Sequence, residues 1–150
     1  MVPSLGDDKS LEDLYQTKIL EFAREARKLS LLTNHDVRFI SKNPLCGDEV
    51  TIDLIINNQR KIANYGHQVR GCSICEASSG LLSKNVIGLN IDNTDQLKEK
   101  LISWLNNKSI DLPFLEIENL SPVKNFKNRY KCVSLSFDAL SGACSKFKQS

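Results

Sequence analysis

The spacing of hydrophobic residues changes once along this chain, and that change limits the folds it can adopt. Apolar side chains alternate with polar ones over residues 50–57, which is the pattern of a half-buried β-strand. Apolar residues at 37–40 and 61–69 predict a neighbouring strand on each side, and Asn57-Asn58 favours a hairpin turn. The early part of the chain therefore predicts a meander of about three antiparallel strands.

Helical periodicity flanks this meander on both sides. Apolar residues recur at steps of three and four from Leu11 to Leu29, with Ser10 as the predicted cap. Three later segments between residues 74 and 140 repeat the pattern, and Gly142 is the predicted stop of the last helix. Strands near the start and helices after them predict an α+β fold, in which helices cover a small antiparallel β-sheet.

Length and composition fit one domain without a membrane or nucleic-acid surface. The chain has 150 residues, 41% of them hydrophobic and 25% charged, and a formal net charge of +2. So small a charge does not favour nucleic acid, and the apolar runs are shorter than the roughly 20 residues of a spanning helix. The first residues lack a basic start followed by an apolar run, which predicts a cytoplasmic protein. We expect a single domain over residues 1–150, with flexible tails at residues 1–9 and 143–150.

The five cysteines offer the most specific chemistry in the sequence. They are Cys46, Cys72, Cys75, Cys132 and Cys144. An odd number of cysteines without an export signal argues against a disulfide framework. In a reducing compartment a cysteine either packs as a small apolar residue or acts as a thiolate that binds metal or attacks electrophiles. The local context of each cysteine has to distinguish these roles.

Three of the cysteines stand at junctions between predicted elements. Cys46 lies in the segment 43–48, whose Pro and Gly favour an exposed turn. Cys72 stands where a strand ends and a helix begins, and the N–H groups of a helix start favour a thiolate. Cys132 stands near the start of the last helix. Three thiolates with the carboxylate of Asp48 make a four-coordinate set that suits zinc or iron in a cluster.

Basic residues precede the last of these cysteines. Arg129 and Lys131 stand just before Cys132, and their charges favour its thiolate form. Arg129 is also a candidate to steady a thiolate or to pair with Asp48 when no metal is bound. A surface salt bridge is the simpler role for this arginine.

The other cysteines and His67 are weaker candidates for a chemical role. Cys72 and Cys75 form a Cys-x-x-Cys pair, the motif of dithiol redox proteins, but no βαβ pattern surrounds it. Cys75 is a spare ligand, a resolving thiol or a core residue. Cys144 is expected in the frayed C-terminal end, and His67 is expected at a surface position of a strand.

Five short motifs follow one another in this chain and carry a resemblance. They are Asn43-Pro44-Leu45-Cys46-Gly47-Asp48, Gly71-Cys72-Ser73-Ile74, Ala77-Ser78-Ser79, Arg129-Tyr130-Lys131-Cys132 and Leu135-Ser136-Phe137-Asp138-Ala139-Leu140. Together they resemble the NifU/IscU-type iron–sulfur cluster assembly scaffold family, and its SufU branch in particular. The resemblance implies a SufE/NifU-like sheet covered by helices, with Cys46, Asp48, Cys72 and Cys132 holding zinc or a nascent Fe2S2 cluster.

The resemblance also implies partners and a function. A cysteine desulfurase would deliver persulfide sulfur to Cys46, and recipient apo iron–sulfur proteins or a second assembly protein would take the product. We therefore expect a scaffold or sulfur carrier rather than a turnover enzyme. The alternatives are a zinc-dependent sulfurtransferase that relays persulfide without building a cluster, and a thiol–disulfide redox protein that uses Cys72 and Cys75.

The chain also departs from the family pattern at specific positions. Lys131 replaces the histidine that precedes the last cysteine in the IscU branch, and Cys75 stands where a small residue is common. Residues 120–124, Leu-Ser-Pro-Val-Lys, are similar to the chaperone-recognised Leu-Pro-Pro-Val-Lys of that branch. The segment lies farther from Cys132 than in the IscU branch, which argues against a chaperone partner.

Overall fold

The computed structural model describes residues 4–150, with side chains described from residue 12. Its main elements are α1 (Ser4–Arg27), β1 (Val37–Lys42), β2 (Glu49–Ile56), β3 (Ile62–Arg70), α2 (Ser73–Asn85), α3 (Thr94–Leu105) and α4 (Tyr130–Lys148). Short 3₁₀ helices at Ile91–Asn93, Leu115–Asn125 and Lys127–Arg129 connect the later helices. The predicted α+β class and the small three-stranded antiparallel sheet are confirmed.

The three strands form an antiparallel meander in the order β1-β2-β3. The register pairs Lys42 with Glu49 across the first hairpin and Glu49 with Arg70 across the second pair of strands. The end of β1, the start of β2 and the end of β3 therefore meet at one end of the sheet. The connections that carry Cys46 and Cys72 leave the sheet at this end.

Strand β2 is buried on both faces, although its alternating sequence predicted burial on one face. Val50, Ile52 and Leu54 are fully buried in the core shared with the helices. Asp53 points to the opposite face and is also fully buried. The segment between α1 and β1 crosses this second face, where the Leu32 N–H donates to Asp53 Oδ2 at 2.9 Å. A single strand thus carries an apolar core face and a buried polar face.

Small residues let the helices pack closely. A Cβ at Gly80 would overlap the backbone of Phe22, so α2 lies directly against α1 at this point. Between α2 and α4, the Ser78 hydroxyl donates to the Val133 carbonyl at 2.5 Å. These contacts fix where the starts of α2 and α4 lie, and both starts carry predicted site residues.

The first helix begins earlier than the sequence pattern predicted. α1 starts at Ser4, before the predicted cap at Ser10. Of the flexible tail expected for residues 1–9, residues 1–3 lie outside the described part of the chain, and the rest is helical. Although α1 spans 24 residues, none of the helices from residue 4 onward combines the length and apolar composition that crossing a bilayer requires.

The C-terminal end also differs from the prediction. α4 continues to Lys148, through most of the tail expected at residues 143–150. Cys144, which was expected to be frayed, is fully buried. Gly142 is not a helix stop: it lies inside α4, where a Cβ would overlap the ring of Phe39. The glycine therefore allows α4 to pack against β1.

Candidate metal centre

The connection between β1 and β2 holds two of the predicted site residues in opposite environments. Hydrogen bonds close this loop: the Asn43 N–H donates to the Asp48 carbonyl and the Gly47 N–H to the Asn43 carbonyl, each at 2.8 Å. Gly47 has a φ of +78°, a conformation that glycine adopts without strain. The loop leaves Cys46 exposed and turns Asp48 inward, where it is 6% exposed.

Cys72 lies where β3 passes into α2. It is the N-cap residue of α2, and its carbonyl accepts a hydrogen bond from the Glu76 N–H at 3.0 Å. The side chain is half-buried, and its Sγ donates to Asp48 Oδ2 at 3.8 Å. The strand–helix junction predicted for this cysteine is present, and its thiol contacts the predicted carboxylate.

Cys132 lies in the first turn of α4 and is buried. Burial, and then the neighbouring Cys72, raises the pKa of the Cys132 thiol to about 12. The expectation that Arg129 and Lys131 favour its thiolate form is therefore wrong, because burial opposes the charged form and Lys131 Nζ binds Asp138 at 2.7 Å. Cys132 must therefore lose a proton when it binds a metal.

The four predicted ligands meet at this end of the sheet although they are distant in the sequence. Cys46 Sγ, Cys132 Sγ and a carboxylate oxygen of Asp48 all lie within 4.8 Å of one another. Cys72 contacts the same carboxylate. In a tetrahedral site with Zn–S bonds of about 2.3 Å, neighbouring sulfurs lie about 3.8 Å apart. The group therefore fits zinc or a cluster iron in donor type and in approximate spacing.

Gly71 has a packing role that the sequence pattern did not reveal. A Cβ at this position would lie 2.9 Å from Asp48 Cγ and 3.1 Å from Cys75 Cβ. The Asp48 carboxyl and Cys75 therefore pack against the same bare Cα. The Gly-Cys pair was the available signal, because a glycine beside a junction residue permits such close approach.

Cys75 lies beside the group and is fully buried. Burial, followed by the negative charge of Asp48, raises the pKa of the Cys75 thiol well above its usual range. Thiol–disulfide exchange requires an accessible thiolate. The redox interpretation of Cys72 and Cys75 is therefore poorly supported by the geometry.

Arg129 ends the 3₁₀ turn before α4 and is exposed. Within residues 12–150, no carboxylate lies within 4.0 Å of its guanidinium. It forms neither the considered pair with Asp48 nor a surface salt bridge with those residues. Its side chain lines a groove together with Ser73 and Ile74, which directly follow Cys72. A role for Arg129 at the site stays a prediction.

His67 is buried at 1% exposure, so the expected surface position is wrong. Its Nε2 lies 2.8 Å from the Ala26 carbonyl, and its Nδ1 lies 2.7 Å from the Tyr65 hydroxyl. Because a carbonyl only accepts, Nε2 donates to Ala26 and Nδ1 accepts from Tyr65. Burial lowers the pKa of His67, and both nitrogens already have partners. The imidazole therefore joins α1 to the sheet.

The segment of residues 120–124 belongs to the packed structure. Leu120 and Val123 are buried, and Lys124 Nζ lies 4.6 Å from the centre of the Trp104 ring. The segment is helical rather than extended, because it lies within the 3₁₀ helix at Leu115–Asn125. Its apolar side chains are thus directed into the core.

Comparisons of sequence and fold with known proteins lead to one group. The family model of the NifU-like N terminal domain matches residues 14–150. Zinc-dependent sulfurtransferase SufU of Bacillus subtilis is 25% identical over 139 residues, which cover 91% of this chain and 93% of the relative. Iron-sulfur cluster assembly scaffold protein IscU of Thermotoga maritima is 26% identical over 137 residues, covering 91% and 96%.

The fold comparison agrees with the sequence comparison. The crystal structure of a nitrogen-fixing NifU-like protein (N-terminal) from Brucella abortus matches with a TM-score of 0.82 and 26% identity. The match covers 92% of this chain and 96% of that structure. The sequence and the backbone of this chain therefore resemble related proteins over nearly their full lengths.

Proposed function

The chain belongs to the NifU-like N-terminal domain family, and we propose that it is an iron–sulfur cluster assembly protein that accepts sulfur from a cysteine desulfurase. The observation that carries the proposal is the meeting of Cys46, Asp48 and Cys132, whose ligand atoms lie within 4.8 Å of one another. The name of the Thermotoga maritima relative, an assembly scaffold protein, supports the same function. With Cys72, these residues would hold zinc or a nascent Fe2S2 cluster.

The proposed donor set suits a site that releases what it holds. Thiolates select zinc and cluster iron over magnesium or calcium. The carboxylate of Asp48 is a harder donor and binds these metals less firmly than a fourth thiolate would. A bound metal would also keep Cys72 and Cys132 as thiolates. One weaker ligand among three strong ones favours transfer over permanent storage.

Cys46 is the proposed persulfide acceptor because it is the exposed thiol of the group. Its neighbour Leu45 is 95% exposed, so the loop tip is accessible to a partner. The Cys46 thiolate would attack the outer sulfur of the desulfurase persulfide, and the sulfur–sulfur bond would break. The desulfurase cysteine would leave as a thiolate, and Cys46 would carry the persulfide. The transfer needs no oxidant or reductant.

Arg129 is proposed as a positioning residue at the Cys72 side of the site. Its guanidinium is permanently charged and, within residues 12–150, unpaired, so it can attract a thiolate or persulfide near Cys72. Arg129→Ala should slow sulfur acceptance, whereas Arg129→Lys should restore part of the rate and shift its dependence on ionic strength. If Arg129→Ala accepts sulfur at the wild-type rate, the assignment is wrong.

Sulfur transfer from a cysteine desulfurase, followed by mass spectrometry of the intact chain, tests the proposed acceptor. Wild-type protein and Cys144→Ala should gain the mass of one sulfur atom, and Cys46→Ala should not. Cys144 is a suitable control because its thiol is fully buried in α4. A persulfide on Cys46→Ala at the wild-type level would overturn the assignment.

A zinc-dependent sulfurtransferase that relays persulfide without building a cluster is the second candidate. The Bacillus subtilis relative carries that name, and an exposed Cys46 suits a relay as well as a scaffold. Anaerobic reconstitution with ferrous iron and sulfide distinguishes the two functions. A stable iron–sulfur chromophore supports the scaffold, whereas tightly held zinc without a chromophore supports the relay.

The proposed location and partners of the protein follow from the same function. The protein would act in the cytoplasm as a single domain over residues 1–150. It would pass its product to recipient apo iron–sulfur proteins or to a second assembly protein. A chaperone is not included, since Leu120 and Val123 of the motif-like segment are buried.

A further inference from the structure

Cys75 is a thiol that the proposed function leaves without a role, although it lies against the site. It follows Cys72 by three positions, which places both side chains on the same side of the start of α2. Its Cβ and the Asp48 carboxyl both contact the point where a Cβ of Gly71 would lie, at 3.1 and 2.9 Å. A fully buried cysteine therefore packs beside the weakest ligand of the proposed set.

The other fully buried thiol provides a useful contrast. Cys144 is buried to the same degree as Cys75 but lies well inside α4. It follows Cys132 by twelve positions in one helix, a rise of about 18 Å. Packing accounts for Cys144, whereas packing alone does not explain why Cys75 lies next to Asp48.

We propose that Cys75 is an alternate metal ligand that can replace Asp48, so that the site alternates between a state with three thiolates and one carboxylate and a state with four thiolates. The inference rests on the proposed function, because it concerns the metal held by that site. In the exchange, the bond between Asp48 and the metal breaks, a bond between the Cys75 sulfur and the metal forms, and the proton of the Cys75 thiol passes to solvent. No oxidant or reductant is needed.

The two states would differ in how firmly they hold a metal. Zinc and cluster iron prefer sulfur to carboxylate oxygen, so the state with Cys75 would retain metal and the state with Asp48 would release it. Both residues pack on Gly71, so the two exchanging side chains start from neighbouring positions. The site would thus combine storage and release.

Zinc retention by four proteins tests this inference. They are the wild type, Asp48→Ala, Asp48→Ala with Cys75→Ala, and Asp48→Ala with Cys144→Ala. The two double variants each lose one fully buried thiol, so they match in lost packing and differ in distance from the site. Each protein is loaded with zinc anaerobically under reducing conditions and titrated with a chelator. Loading with cobalt(II) then reports the number of thiolate ligands through charge-transfer absorption.

The expected result depends on Cys75 alone. Asp48→Ala should hold zinc at least as firmly as the wild type, and its cobalt charge-transfer absorption should rise by about a third as three thiolates become four. The variant that also lacks Cys144 should behave in the same way. The variant that also lacks Cys75 should bind zinc at least about tenfold more weakly. Equal affinities of the two double variants would overturn the inference.

The same measurements separate the inference from the proposed function. If the wild type retains no metal and forms no chromophore, the proposed function fails. If the wild type retains zinc and Asp48→Ala releases it with Cys75 intact, the alternate ligand alone is wrong. Cys75→Ser nearly preserves the side-chain volume and gives the same comparison should the alanine variant not fold.

Discussion

Two buried carboxylates, one within strand β2 and one just before it, have opposite surroundings. Asp53 is fully buried and binds Arg38 through two hydrogen bonds of 2.6 and 2.8 Å, while the Leu32 N–H donates to it at 2.9 Å. Asp48 is 6% exposed, and its side chain accepts from one donor within residues 12–150, the thiol of Cys72 at 3.8 Å. One carboxylate has strong donors, and the other has sulfur around it.

The difference distinguishes a structural carboxylate within the sheet from a candidate ligand at its end. Burial alone would raise the pKa of Asp53, but the hydrogen bonds from Arg38 and Leu32 hold it below its usual value. Such a carboxylate stabilises the native chain in its ionised form. Asp48 lacks a cation of this kind among the described residues, so its capacity to bind remains for a ligand from outside the chain.

Replacing each carboxylate by its amide should produce the largest contrast. Asp53→Asn should lower the free energy of unfolding by about 2 kcal/mol, less than the roughly 3–5 kcal/mol of a fully buried broken pair, because Arg38 is 41% exposed. Asp48→Asn should change it by less than about 0.5 kcal/mol in metal-free protein. Urea denaturation under reducing conditions measures both values. Equal losses would contradict the distinction between the two residues.

A side chain at Gly71 should disturb only the Asp48 end. In Gly71→Ala the new Cβ would crowd both candidates for the fourth ligand position, with Asp48 Cγ 2.9 Å away and Cys75 Cβ 3.1 Å away in the present geometry. We expect about tenfold weaker zinc retention, and because the carboxyl can rotate, the urea midpoint of metal-free protein should be nearly unchanged. Chelator competition measures the first effect. Unaltered zinc retention would show that the positions of these two side chains do not matter to binding.

The strands and helices were largely predictable because their signals are local. Alternation over residues 50–57 predicts β2 without knowledge of the rest of the chain. The burial of Asp53 depends on Leu32 and Arg38, which no local pattern connects to it. Gly142 illustrates the same limit. A glycine near the end of a helical pattern predicts the end of the helix, but Gly142 packs against Phe39 of β1, which no local pattern indicates.

The sequence indicated which residues belong to the candidate site, but it did not indicate how they are arranged in space. The junction positions of Cys46, Cys72 and Cys132 indicated thiolates, and the resemblance to a family brought them together. The spacing of the cysteines alone could not show that they lie together, because contacts between separate helices and strands decide which junctions meet. The thiolate form of Cys132 was predicted incorrectly because burial raises the pKa of its thiol, and basic neighbours in the sequence do not reveal that burial.

The pH dependence of stability should follow Asp53. An unfolded Asp takes up a proton near pH 4, whereas the folded Asp53 has a lowered pKa. Its contribution is therefore fully present above about pH 5 and is lost as the pH falls through the folded pKa. The difference in unfolding free energy between the wild type and Asp53→Asn should stay constant from about pH 7 to 5 and shrink below about pH 4. A difference that persists undiminished in stronger acid would contradict this account.

The smallest effect on stability is expected at the exposed thiol. Cys46→Ala should change the free energy of unfolding of metal-free protein by less than about 0.5 kcal/mol, because the side chain is exposed. The same variant should lose sulfur acceptance. Thermal and urea denaturation provide the check. A large loss of stability would favour a purely packing role for this thiol.

X-ray absorption at the zinc edge of the reduced, zinc-loaded protein tests the central claim most directly. Convergence of Cys46, Asp48, Cys72 and Cys132 on one ion predicts at least three sulfurs at about 2.3 Å, with the fourth position taken by an oxygen at about 2.0 Å or by the sulfur of Cys75. A first shell of nitrogen and oxygen without sulfur, or zinc that is lost on dialysis, would contradict it.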